Sequence, residues 1–137
     1  LLQLYWELPA YPEVPKILKE LKCLGFNTAI LSNCSQDMLN GAVHSAGLET
    51  DLDAVLSVES TGIFKPHASV YDLVGKEFSC SKDEVLFVSS NGWDAAAASG
   101  YGFCTVWVNR AEDPLDRLPW KPKYIAQDLT MVPSYLI

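Results

Sequence analysis

Leu86-Phe87-Val88-Ser89-Ser90-Asn91-Gly92-Trp93-Asp94 is the stretch on which the reading of this chain turns. An apolar run stops abruptly at a cluster of small polar groups and one carboxylate. That is the pattern of a buried strand whose C-terminal end delivers chemistry to a cleft. The same arrangement appears upstream, where Thr28-Ala29-Ile30-Leu31 runs into Ser32-Asn33. Between the two lies Gly62-Ile63-Phe64-Lys65-Pro66, a lysine held between an aromatic and a proline. Three polar tips are thereby placed to converge.

The flanking sequence alternates helix and strand. Residues 14–24 carry Val14, Ile17, Leu18 and Leu21 at helical spacing, with Pro15 tolerated in the first turn and Gly25 as the stop. A strand is predicted over 27–31. Ser35 is then a candidate N-cap for a helix with Leu39, Ala42, Val43 and Ala46 on its inner face, ended by Gly47. A short strand over 54–58 follows. Val70, Leu73, Val74 and Phe78 mark another helix. Next come a strand over 84–89, an alanine-rich helix over 93–99 and a strand over 104–109. Pro114, Pro119 and Pro122 break regularity before a last strand over 124–126 and a terminal helix over 129–136. This alternation predicts an α/β fold with a parallel sheet and right-handed crossovers.

With 137 residues, 49% of them apolar, the chain is suited to one core. Its net charge of -7 and ten scattered basic residues argue against nucleic-acid binding, which needs clustered Lys and Arg against phosphates. Apolar runs are far shorter than the roughly twenty residues of a membrane span. Leu1-Leu2-Gln3-Leu4-Tyr5-Trp6 lacks a basic region and a cleavage site, so it does not read as a secretion signal, and a cytoplasmic location is expected. Cys23, Cys34, Cys80 and Cys104 form no metal-ligand spacing and read as free thiols. His44 and His67 likewise stand alone and read as structural or exposed.

The three polar segments resemble the haloacid dehalogenase superfamily, and within it the hydrolytic L-2-haloacid dehalogenases. Leu31-Ser32-Asn33 is similar to the second motif, Phe64-Lys65-Pro66 to the third, and Ser89-Ser90-Asn91-Gly92-Trp93-Asp94 to the fourth. The fourth is the specific one, and order and spacing agree throughout. The resemblance implies a three-layer, Rossmann-like core. It also implies an aspartate nucleophile at the end of a first strand, in a motif that does not occur in this sequence. Asp37, Asp51, Asp53, Asp72, Asp83, Asp113, Asp116 and Asp128 read as residues of helix starts or polar loops. Residues 1–10 are accordingly expected to be the tail of a cap domain. Residues 11–137 are expected to be the C-terminal part of a core lacking its first strand, which by family layout lies between the strand ending at Leu31 and the one ending at Ser89.

By the same resemblance, the missing aspartate displaces halide from an (S)-2-haloacid, and water cleaves the resulting ester to the (R)-2-hydroxy acid. Lys65 keeps that aspartate ionised. Asp94 orients Lys65 or the hydrolytic water, while Ser89 and Asn91 hydrogen-bond to nucleophile, lysine and water. Ser32 and Asn33 hold the substrate carboxylate and the departing halide. Tyr71 holds substrate or aspartate, and Trp93 forms part of an apolar halide cradle. Each has a plainer reading: solvated lysine, helix-start aspartate, turn-forming serine or asparagine, packing tyrosine or tryptophan. Alanine at Lys65 or Asp94 is expected to abolish turnover and leave folding largely intact.

The runner-up is a magnesium-dependent phosphatase of the same superfamily. Such enzymes present Gly-Asp near the start of the fourth motif, where this chain has the neutral Ser89-Ser90-Asn91. A non-catalytic fragment and a flavodoxin-like binding domain are the alternatives from other classes; the second would need a phosphate-cradling loop after its first strand. The preferred reading requires no cofactor or metal, a small 2-haloacid substrate, neither nucleic acid nor membrane, and a homodimer as a family expectation.

Overall fold

The structure, a computed structural model, describes residues 10–115 and 117–136. The expected cap-domain tail and Asp116 lie outside them, apart from Ala10. The contacts divide into two compact units on either side of the Phe64–Lys65 junction.

In the first unit, helix α1 (Val14–Cys23) buries Ile17 and Leu21, two members of the predicted stripe. Strand β1 (Ala29–Ser32) leads to α2 (Gln36–Ser45), which buries Leu39 and Val43. Ser35 caps α2 as expected, its hydroxyl accepting the Met38 N–H at 3.3 Å. Gly25 and Gly47 follow the two helices at φ of +90° and +70°, the left-handed region that costs glycine little. Strand β2 (Ala54–Ser57) pairs in parallel with β1, Ser32 opposite Ser57.

Strand β1 begins two residues later than the sequence predicts, because Thr28 is engaged outside the ladder. Its N–H donates to the Asp53 carboxylate at 2.8 Å and its hydroxyl to the Asp51 carbonyl at 2.7 Å. The Lys22 ammonium, with help from that Thr28 N–H, holds the Asp53 carboxyl below its ordinary range.

In the second unit, α3 (Ala68–Phe78) buries Val70 and Tyr71 and is capped by His67, whose Nδ1 accepts the Ser69 N–H at 3.2 Å. Strands β3 (Leu86–Ser89), β4 (Cys104–Val108) and β5 (Tyr124–Ala126) form a parallel sheet in that order. Helix α4 (Gly92–Tyr101) connects β3 to β4. Its alanines let it lie close: Ala95 and Ala98 are wholly buried. Val106, Val108 and Ala126 form a core cluster with Leu86, Val88, Tyr124, Leu129 and Tyr135. The expected terminal helix is a 3₁₀ turn over Leu129–Met131 running into the short α5 (Val132–Tyr135), where Pro133 is accommodated in the first turn.

All strand pairings are parallel, as predicted. They form two separate sheets, β1–β2 and β3–β4–β5, so that among the described residues β1 pairs only with β2 and β3 only with β4. No helix among the described residues is long and apolar enough to cross a membrane.

Candidate active site

Asp94 is the centre of the second unit. It lies in the first turn of α4, where a carboxylate also suits the positive end of the helix dipole, yet only 1% of its surface is exposed. A buried carboxylate is stable only when its oxygens are satisfied. Three side chains do this. Lys65 Nζ donates to Oδ2 at 2.7 Å, the Ser89 hydroxyl donates to Oδ2 at 3.0 Å, and the Tyr71 hydroxyl donates to Oδ1 at 2.8 Å.

Each donor is placed by an element whose sequence dictates its position. Lys65 precedes α3 across a cis peptide to Pro66, and its ammonium lies 5.7 Å from the centre of the Phe87 ring. Tyr71 stands in the first turns of α3, on the face that Val70 also buries. Its ring packs edge-on to Phe87 and Phe103, at 5.6 and 5.9 Å between centroids, and lies 5.4 Å from Tyr101. Burial, then the hydrogen bond to Asp94, pushes the Tyr71 hydroxyl far above its ordinary value of 10.0, so it remains a proton donor. Ser89 closes β3, and its hydroxyl oxygen also accepts the Asn91 N–H at 3.1 Å. The sequence reading missed the aromatic wall of Phe87, Tyr101 and Phe103. Its signal was the aromatic at 87 in β3 and the pair at 101 and 103 just before β4.

The other expected residues of this unit are less engaged. Asn91 is exposed and its side chain caps no backbone N–H; its carbonyl accepts the N–H groups of Asp94 and Ala95. Trp93 is 39% exposed, so the plainer reading of it as a core aromatic does not hold. Asp72 lies within α3, not in a loop, and accepts the hydroxyl of Tyr101.

In the first unit, Ser32 and Asn33 sit half-buried at the C-terminal end of β1. The Ser32 hydroxyl oxygen accepts the Cys34 N–H at 3.1 Å. The Cys34 carbonyl in turn accepts the Ser57 hydroxyl at 2.6 Å. The turn that carries Asn33 is therefore pinned from both strands, a role for Ser57 that its place in a short apolar strand did not announce. His44 is exposed and 2.7 Å from Glu49, and His67 is the cap of α3, so both histidines are structural or exposed as expected.

A buried lysine–carboxylate pair at the C-terminal end of a parallel strand, flanked by hydroxyl donors, is equipped to stabilise negative charge and direct a proton or water. Comparison with known proteins identifies the class. Residues 1–102 match the model of the haloacid dehalogenase-like hydrolases, and the chain belongs to that family.

Within the family, the chain is 39% identical over 137 residues to (S)-2-haloacid dehalogenase 1 of Pseudomonas sp. strain CBS-3, covering all of this chain and 60% of that protein. It is 35% identical over 133 residues to the (S)-2-haloacid dehalogenase of Pseudomonas fluorescens, covering 97% and 59%. Among solved structures, it superposes with a TM-score of 0.89 on the L-2-haloacid dehalogenase of Xanthobacter autotrophicus with chloropropionic acid covalently bound. That match is at 32% identity and covers 98% of this chain and 63% of the other. The chain thus spans about three-fifths of the length of these relatives.

Proposed function

We propose that this chain is the C-terminal part of the core of a hydrolytic (S)-2-haloacid dehalogenase, converting (S)-2-haloacid and water to (R)-2-hydroxy acid and halide. The observation that supports this most is Asp94, buried and saturated by Lys65, Ser89 and Tyr71. Its oxygens are committed to protonated donors, and the neutral Ser89-Ser90-Asn91 adds no carboxylate at the place where the phosphatase reading needs one.

In this reading, an aspartate carboxylate from a preceding segment attacks the carbon bearing the halogen. The carbon–halogen bond breaks, halide leaves with its electron pair, and an ester forms with inversion. Water then attacks the ester carbonyl, restoring the carboxylate and releasing the hydroxy acid. Lys65 offsets the charge of the nucleophile, and Asp94 holds the ammonium in place. Ser89 and Asn91 orient the groups around them. By the family resemblance, Ser32 and Asn33 are assigned to the substrate carboxylate and halide. By the same resemblance, Trp93 is assigned an apolar surface suited to a poorly hydrated anion. Tyr71, expected from the resemblance to hold substrate or the nucleophile, is instead given a role through Asp94, because its buried hydroxyl donates to that carboxylate.

The covalently bound chloropropionic acid of the Xanthobacter autotrophicus enzyme supports a covalent route in a relative of the same family. The test is halide release from the two enantiomers of 2-chloropropionate, with EDTA present, by the protein that contains this chain and the proposed preceding segment. Release from the S enantiomer alone supports the proposal. Silence on both, with phosphate-ester hydrolysis when magnesium is added, replaces it with the phosphatase.

A further inference from the structure

Trp107 stands on β4 directly opposite Ser89, the last residue of β3. Side chains paired in this way project from the same face of a sheet. Trp107 is 4% exposed, and its indole N–H, a donor with no acceptor capacity, requires a partner when buried. It finds one in the carbonyl of Ser90, at 3.2 Å, in the turn between β3 and α4.

That carbonyl belongs to the planar peptide that also carries the Asn91 N–H, so fixing one fixes the direction of the other. The Asn91 N–H donates to the Ser89 hydroxyl oxygen, which leaves that hydroxyl's own proton for Asp94. We infer that Trp107 is a positioning residue: it sets the Ser90–Asn91 peptide plane, and through it the aim of the Ser89 hydroxyl at Asp94. The inference deepens the dehalogenase reading and rests on it for its kinetic consequence.

The experiment replaces Trp107 site-specifically with benzothienylalanine, which exchanges the indole N–H for sulfur and keeps the ring's shape, in the protein proposed above. Turnover of (S)-2-chloropropionate is expected to fall in kcat about tenfold, the scale of one hydrogen bond, with KM within about twofold and the melting temperature lower by only a few degrees. Combined with Ser89→Ala, the analogue should add little further loss, because both act on the same contact. An unchanged kcat, or losses that multiply in the combination, overturns the inference. If the unsubstituted protein releases no halide, the dehalogenase reading fails and the positioning is read from Asn91 amide hydrogen exchange. Faster exchange in the analogue supports it, and unchanged protection overturns it.

Discussion

Lys65 Nζ lies 2.7 Å from Asp94 Oδ2 in an ion pair that leaves 10% of the lysine side chain and 2% of the aspartate side chain exposed. A pair so far out of water attracts strongly, but each charge has lost its hydration and relies on the groups packed against it, its partner among them.

Removing one member therefore has a structural cost that the sequence reading did not foresee. Lys65→Ala or Asp94→Ala should each destabilise the protein by about 3–5 kcal/mol, because the remaining charge loses the opposite charge 2.7 Å away in a site with little water. The burial of the pair thus leads to an expectation for folding opposite to the one drawn from sequence. The double replacement should cost clearly less than the sum of the two singles. Urea denaturation of the three variants checks this; equal, additive losses would contradict the buried pair. In turnover, each single replacement should lower kcat by at least about 100-fold.

Tyr71→Phe removes only the hydroxyl that satisfies Asp94 Oδ1. The ring contacts with Phe87 and Phe103 are retained in the variant, so the loss isolates one charge-assisted hydrogen bond. A destabilisation of about 1.5–3 kcal/mol is expected in denaturant titration. No change in stability would mean that the Asp94 carboxylate does not depend on that donor.

Alkaline stability should report on Tyr101. Burial, and then the hydrogen bond to Asp72, pushes its hydroxyl up from 10.0 to about 12. Its pKa is raised in the folded state, so its contribution is fully present below pH 10 and is lost as pH rises through about 12. The unfolded chain releases the proton first. Tyr101→Phe should flatten that part of the stability profile, measured by unfolding at a series of pH values. A profile as steep as that of the unsubstituted protein would remove Tyr101 as its source.

Gly100 lies under the ring of Trp120, and a Cβ there would fall well inside van der Waals contact with three of its ring carbons. Gly100→Ala should push the indole away from α4 and cost about 1–3 kcal/mol. Loss of the nuclear Overhauser contacts between Trp120 and residue 100, together with the lower stability, checks this. Retained contacts at full stability would show that the ring yields without penalty.

The elements were legible where local chemistry determines them. Ser35 signalled the start of α2 and Gly25 and Gly47 the stops after α1 and α2. The apolar run 86–88 followed by Ser89 announced both a strand and the polar tip that reaches Asp94. Contacts between side chains distant in sequence were not legible. Thr28 looks like the first residues of β1 until Asp51 and Asp53 take its backbone and hydroxyl. Ser57 gave no sign that it would pin the turn after β1, nor Trp107 that its indole would reach Ser90. Trp93 gives no periodicity by which a surface aromatic is told from a core one, and Tyr71 reads as a packing residue until its hydroxyl is seen on a buried carboxylate.

Displacement through an aspartyl ester, with a nucleophile outside these 137 residues, is checked by a single turnover in isotopically labelled water. With the protein in excess over (S)-2-chloropropionate, the expected product carries an unlabelled new oxygen, having taken it from the protein. The label should then appear on an aspartate of the preceding segment. Labelled product in that first turnover, or label on an aspartate of this chain, would contradict it.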